Sequence, residues 1–316
     1  VKAVEIAAFG GPENLKTVKR PTPVPSPGQA LVAVEAIGVG LADVLTRKGV
    51  AGVAPGAVPG IEVVGTVTAV SADQDSAWVG RRVFAMDEHL GGYAEQVVTE
   101  VSALAAVPDS VTPVDAIGIG ISSLVAEYTL DRAAVSAGDQ VLVRGASGGI
   151  GVMAVQLAAA RGATVVAGTT TADDDTRLTE LGATHIVDAQ GVARDGRTFG
   201  YDAVVDIVAG AGVPDFVGML RENGRYVVCG IAGGLPPAEF GMSLLAAFQR
   251  SLTISTLSLN SHPGDGRAAV FETLLGKAAQ GTIRPLIHDT MKLDEAAAAH
   301  TRLESGSVFG KIVLTP

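Results

Sequence analysis

The sequence predicts an α/β chain in two parts: a compact β-barrel-like part, then a parallel sheet layered with helices. Three observations carry this. Up to about Thr112, short β-rich runs alternate with glycine and proline clusters. From about Pro113, apolar strands alternate with helical segments. Between residues 141 and 161 an apolar, β-branched run enters a glycine cluster and leaves it as a helix-periodic segment.

In the first part, strands are predicted over residues 2–7, 30–37, 63–69, 82–85 and 93–99. Gly10-Gly11-Pro12, the proline-rich run 21–28 and Pro55-Gly56 punctuate them. In the second part, Val141-Leu142-Val143-Arg144 reads as a strand. Ile150, Met153, Ala154, Leu157 and Ala158 then follow at the i, i+3, i+4, i+7, i+8 spacing of a helix with one buried face. Gly162 stands where a C-cap belongs, and 164–168 is the next strand. A helix over 173–181 closes at Gly182, and strands follow at 185–188 and 201–208. A helix at 214–220, a turn at Asn223-Gly224 and strands at 225–230 and 252–259 complete the set. Runs this apolar suit strands covered on both faces, hence a parallel sheet. Residues 267–280 read as a helix, and 311–314 as a last strand expected to return to the first part.

Composition sets the class. A chain of 316 residues with 47% hydrophobic and 18% charged residues has material for two cores. The net charge of −10 offers no basic patch to a nucleic acid or an anionic membrane, and serves solubility. No apolar run approaches the roughly 20 residues that span a bilayer, and no cationic start precedes a signal-like segment. A soluble cytoplasmic protein acting on a small molecule is the expectation. The single cysteine, Cys229, excludes internal disulfides and Cys-rich zinc sites, and its strand context reads as a packed thiol. Histidines 89, 185, 262, 288 and 300 show no metal-ligand spacing and read as surface or packed imidazoles.

Strand, glycine turn, helix and strand form the unit that binds a dinucleotide pyrophosphate. The turn lets backbone approach the phosphates, and the helix start supplies unpaired N–H groups and a positive dipole end. In the GxGxxG frame the three positions are Ala146, Gly148 and Gly151. A rival pattern overlies it, because Gly145-Ala146-Ser147-Gly148-Gly149 also fits the GxSxG elbow of serine hydrolases. Asp206 with His262, His288 or His300 would then complete a triad on Ser147. Gly151 favours the dinucleotide, since close packing of helix on strand needs it and an elbow does not.

Nearly end to end, the chain resembles the medium-chain dehydrogenases/reductases of the zinc-free, zeta-crystallin-like quinone oxidoreductase group. The resemblance rests on Lys2-Ala3-Val4, Phe9-Gly10-Gly11-Pro12-Glu13, Gly38-Val39 leading to Asp43, and Pro59-Gly60-Ile61-Glu62. It continues through Gly91-Gly92-Tyr93-Ala94-Glu95, Gly138-Asp139, the glycine turn, Leu181-Gly182-Ala183, and Ala299-His300 to Gly310-Lys311. It decides against the hydrolase. It implies a GroES-like β-barrel catalytic domain at 1–113, a Rossmann doubly wound parallel-sheet domain at 114–260, and a segment at 261–316 returning to the first. The nicotinamide would lie in the cleft between the domains.

The resemblance also sets expectations for the chemistry. Zinc-dependent relatives carry cysteine at the Gly40 position and histidine at the Ile61 position; neither replacement has a ligand atom, and Glu62 alone holds no catalytic zinc. No metal is therefore expected. Reduction of a quinone or an α,β-unsaturated carbonyl needs none, so an NAD(P)H-dependent reductase of such acceptors is the leading expectation. The group's usual asparagine is Gly40 here, its threonine is Val125, and Val50-Ala51 stand where a tyrosine is common. The substrate pocket, with Gly40, Ile61 and Val125, is thus less polar than usual. Those losses motivate the alternative, a nucleotide-binding member with a non-redox role. Asp43 and Tyr93 are the candidate catalytic residues, each with a structural role as its competitor.

For the cofactor, Ala146, Ser147, Gly148, Gly149, Ile150 and Gly151 are expected to hold the pyrophosphate, and Thr169, Thr170 and Thr171 the adenosine ribose. Val208, Cys229, Gly230 and Ile231 should flank the nicotinamide, and Lys311 is counted with the cofactor residues. The region 167–171 holds no acid for ribose hydroxyls, which favours NADPH over NADH, with Arg177 and the threonines on the 2′-phosphate. Against this, the group's 2′-phosphate lysine falls at Asp174 and a common tyrosine at Ala189. Residues 252–259, free of charge and proline, read as the last strand of the Rossmann sheet. An edge so poorly protected implies a homodimer joined through it.

Overall fold

The computed structural model describes every residue except 51, 72 and 88–90, with backbone alone at 73–75. Ala51 and His89, both weighed above, lie outside the described residues. The chain divides into two units. Unit 1 comprises Val1–Ile121, His262–Ala279 and Arg284–Pro316; unit 2 comprises Ser122–Ser261 and Gln280–Ile283.

In unit 1, β1 (Lys2–Ile6) pairs antiparallel with β2 (Leu15–Lys19). The spine is β3 (Gln29–Val39), eleven residues long and almost wholly apolar. One edge of β3 takes β4 (Glu62–Val70), which leads to β5 (Arg82–Met86) and then β7 (Leu104–Ala106). The other edge is shared. Residues 29–33 pair with β6 (Gln96–Glu100), and residues 37–39 with β15 (Lys311–Thr315). A strand long enough to serve two partners on one edge curls the sheet toward a barrel. β14 (Ile287–Lys292) lies parallel to β15. The expected return of the last strand is thus observed. Helices α1 (Leu41–Arg47), α7 (Gly264–Ala279) and α8 (Ala296–Glu304) accompany the sheet. The core runs from Ile6 and Val32 through Val63 and Tyr93 to Leu293 and Ile312.

Helix α2 (Pro113–Arg132) is broken at Gly120 and carries the chain from the first unit into the second. Unit 2 is built on β8 (Gln140–Arg144), β9 (Thr164–Gly168), β10 (Ala183–Val187), β11 (Tyr201–Asp206), β12 (Leu220–Val228) and β13 (Thr253–Thr256). They stand in the order β10-β9-β8-β11-β12-β13, every pair parallel. This is the doubly wound order, with its reversal between β8 and β11. Helices α3 (Gly149–Ala160), α4 (Asp175–Glu180), α5 (Val213–Gly218) and α6 (Met242–Ala246) complete the unit.

Several local expectations need correction. Asn223-Gly224 does not separate two elements but lies inside β12 as an irregularity in its pairing, with Asn223 at φ 59°. The edge strand is four residues long rather than eight, because pairing with β12 ends at Thr256. Tyr93 precedes its strand, which starts at Gln96. Among the described residues no helix is long and apolar enough to cross a membrane.

Candidate functional site

The glycine turn of unit 2 opens at the carboxyl end of β8. Gly145 adopts φ 79°, a left-handed conformation that glycine takes without cost, so the tight turn falls one residue before the first frame position. Ala146 can therefore stand there, fully buried. Gly148 is the N-cap of α3, extended at φ −74° and ψ 169°. A Cβ there would meet only the Gly145 carbonyl, at 3.7 Å. Gly151 is the opposite case. Its Cβ would stand 2.2 Å from the Gly145 oxygen and 2.6 Å from Ala146 Cα, so only glycine lets α3 lie on the turn. Gly149, Ile150 and Gly151 form the first turn of α3, whose N–H groups have no partner within a helix. Backbone donors, a dipole end and an approach free of side chains are what a pyrophosphate requires.

The other cofactor candidates of unit 2 gather at the same ends of the strands. Thr169 directly follows β9; its hydroxyl meets the Ser147 hydroxyl at 2.9 Å and accepts the Thr171 N–H at 3.2 Å. Thr170, Thr171 and Arg177 are exposed, while Asp174 is half-buried and lies 3.7 Å from the Arg177 guanidinium. Val208 follows β11, and Cys229, Gly230 and Ile231 follow β12. A Cβ on Gly230 would stand 2.5 Å from the Ile207 carbonyl, so these two crossing loops touch backbone to backbone. Burial pushes the Cys229 thiol up to about 12, which makes it a packed thiol rather than a nucleophile. Val125 lies buried in α2 within the same unit.

One group here was not legible as part of a site. Arg144, Asp206 and Tyr226 are buried and mutually bonded at the carboxyl ends of β8, β11 and β12. Burial, and then the Asp206 carboxylate, push the Tyr226 hydroxyl far up, so it stays a donor. The only signal in the sequence was a charge closing each of two apolar strands. Asp206, weighed as a triad acid, has both oxygens committed to Arg144, Tyr226 and two backbone N–H groups. Ser147 bonds a threonine, and His300 bonds Tyr93. The triad arrangement is not formed by these partners.

The unit 1 candidates have structural partners. Asp43 is buried; one oxygen accepts the Gly40 N–H at 2.8 Å and the other the Gly60 N–H at 3.0 Å. It closes the start of α1 and ties Gly40 to Gly60, which leads through Ile61 into β4. Burial raises its pKa to about 7, although both hydrogen bonds oppose the shift. Tyr93 is fully buried and its hydroxyl meets His300 Nε2 at 2.9 Å. Lys311 pairs its ammonium with Glu62, both buried. Glu62 also accepts the Ile121 N–H at 2.9 Å. Ile61 and Gly60 line a cleft of about 350 Å³ with Val53, Val58, Pro59 and Thr46. Among the described residues, no three His, Cys, Asp or Glu side chains gather as metal ligands would.

Known proteins share this arrangement. Residues 26–109 match the alcohol dehydrogenase GroES-like domain and residues 181–314 the zinc-binding dehydrogenase family. The quinone oxidoreductase of Sus scrofa is 28% identical over 325 residues, covering 99% of this chain and 97% of its own. A mycobacterial protein solved in complex with NADPH superposes with a TM-score of 0.91 at 31% identity, covering 100% of this chain and 99% of the other. The quinone oxidoreductase of Coxiella burnetii superposes at 0.86 with 26% identity, over 100% and 99%.

Proposed function

Because the chain belongs to the medium-chain dehydrogenase/reductase superfamily, in its quinone oxidoreductase-like group, we propose that it reduces a quinone or an α,β-unsaturated carbonyl with NADPH, without a catalytic metal. It is an NAD(P)H-dependent oxidoreductase. The observation that carries the reading is the turn from Gly145 to Gly151, which presents the start of α3 at the point where the strand order reverses.

When bound, a reduced nicotinamide supplies a hydride. The chain's own part is to bind and orient. Backbone N–H groups of Gly149 to Gly151 hold the pyrophosphate, and Val208 and Cys229 to Ile231 wall the nicotinamide end. Thr170, Thr171 and Arg177 serve the adenosine ribose, and an exposed guanidinium with two exposed threonines in the same segment suits a 2′-phosphate. Hydride addition to the conjugated acceptor places electron density on its carbonyl oxygen, and solvent supplies the balancing proton. The partners of Tyr93 and Asp43 support solvent over either side chain.

Zinc independence is supported by donor chemistry. Gly40 and Ile61 bring no ligand atom, and Glu62 is already paired with Lys311. A homodimer through β13 is supported by its place at the sheet edge. Met242, Leu245 and Phe248, just before it, are 62%, 65% and 74% exposed, an apolar face that a second copy would cover.

The test is transfer of deuterium from (4-²H)NADPH into the reduced acceptor. Stereospecific transfer at one nicotinamide face is expected. Cofactor binding without any transfer would favour the non-redox alternative that the apolar Gly40 and Val125 suggest.

A further inference from the structure

Arg144 and Asp206 are the last residues of β8 and β11 and stand opposite each other in the register, at the reversal of strand order. The Arg144 Nη1 group donates to Asp206 Oδ2 at 2.7 Å, to the Tyr226 hydroxyl at 2.9 Å and to the Ala209 carbonyl at 3.3 Å. Its guanidinium lies 3.9 Å above the Phe216 ring. The Tyr226 hydroxyl donates to the same Oδ2 at 2.6 Å. Asp206 Oδ1 accepts the N–H groups of Val208 and Ala209, each at 2.9 Å.

Burying an ion pair gains little for stability over well-packed apolar side chains of the same volume. An apolar trio would, however, leave the N–H groups of Val208 and Ala209 unpaired. Ala209 is held at φ 54° and ψ −126°, a conformation that non-glycine residues resist and that surrounding structure must enforce. The carboxylate holds this residue by its N–H and the guanidinium holds it by its carbonyl. The same arginine directly precedes Gly145. One buried group therefore ties the phosphate turn to the loop after β11.

We propose that Arg144, Asp206 and Tyr226 form a clamp that sets the Val208–Ala209 backbone, and through it the nicotinamide end of the cofactor site. They are positioning residues, since none is assigned contact with the cofactor. The proposal rests on the cofactor reading given above. It concerns one half of that site only. The adenosine half is carried by β9 and by Thr169 to Arg177, whereas the side-chain hydrogen bonds of the clamp run among Arg144, Asp206 and Tyr226 and to Val208 and Ala209.

The two halves can be assayed apart. Adenosine 2′,5′-bisphosphate probes the adenosine half, and NADPH probes both. In Tyr226→Phe, which keeps the ion pair, and in the neutral double variant Arg144→Met/Asp206→Asn, bisphosphate affinity should stay within twofold of wild type. NADPH affinity should fall at least tenfold in the double variant and severalfold in Tyr226→Phe, with kcat reduced beyond any change in KM. Equal losses for both ligands would mark a merely structural role and overturn the clamp. Unchanged NADPH affinity and kcat in folded variants would overturn it too. A double variant that fails to fold leaves Tyr226→Phe to decide by the same comparison. Wild-type protein that binds neither ligand would instead defeat the cofactor reading, and the clamp with it.

Discussion

The Tyr93 hydroxyl and His300 Nε2 meet at 2.9 Å across 207 residues of sequence, inside the core of unit 1. Burial holds His300 neutral, with its pKa lowered to about 3. Replacing Tyr93 with phenylalanine strands a buried nitrogen and should cost about 1–3 kcal/mol. We expect a lower Tm and a kcat within about twofold of wild type, a factor worth roughly 0.4 kcal/mol of barrier. A hundredfold loss of kcat at unchanged Tm would make Tyr93 a proton donor instead.

Asp43 and His300 bias stability in opposite directions. Folded His300 binds fewer protons than the unfolded chain between pH 3 and its ordinary 6.5, so its contribution is lost as pH falls through that window. Folded Asp43, raised from 3.8 to about 7, binds more protons than the unfolded chain, so its contribution is lost as pH climbs through that window. Asp43→Asn presents an amide to one of two backbone N–H groups and should lower stability by about 1–3 kcal/mol. With the opposing group gone, the variant's Tm should rise more steeply between pH 4 and 6.5 than that of wild type. Parallel Tm profiles would refute the assignment.

Two glycines of the turn should fail differently. Gly151→Ala drives a methyl into backbone and should cost at least about 1–3 kcal/mol, seen as a lower Tm. Gly148→Val adds a Cβ that meets only the Gly145 carbonyl, at an ordinary contact distance of 3.7 Å, so Tm should hold while NADPH fluorescence no longer responds to protein. Wild-type cofactor affinity in Gly148→Val would mean the pyrophosphate lies elsewhere.

Arg177 separates the cofactors. Loss of one charge-assisted hydrogen bond is worth about 1.5–3 kcal/mol, so Arg177→Ser should weaken NADPH binding roughly tenfold or more. NADH affinity should not change. Asp174→Ser, which frees the guanidinium from its acidic neighbour, should move NADPH the other way. Titration by fluorescence quenching measures each constant against wild type.

The edge strand gives the last test. Ile254→Lys places a charge on β13 and should shift a homodimer to monomer in light scattering at micromolar concentration. A monomeric wild type would remove the premise.

The sequence was most informative where one physical demand dominates. The parallel strands of unit 2 are apolar because both faces are covered, and Gly151 is glycine because a carbonyl lies against it. Short elements were illegible for the opposite reason. β2, β7, α1 and α6 are three to seven residues long, below the length at which periodicity separates from noise. The Asp206 carboxylate could be read as an acid but not assigned, because its partners come from β8 and β12, 62 and 20 residues away. Lys311 was read beside the cofactor, and its partner Glu62 lies 249 residues away, beyond any local pattern.

The place of β15 has a kinetic meaning. It inserts between β3 and β14, so an interior strand of the unit 1 sheet comes from the last residues to be made. During synthesis, residues 122–261 emerge in full before that strand exists. The parallel sheet can close while β3 still waits with half of one edge open. Closing this long loop then becomes the late event, and its entropy falls on unit 1 alone. Refolding should accordingly show two phases, the slower one reported by Trp78, which packs on the unit 1 core.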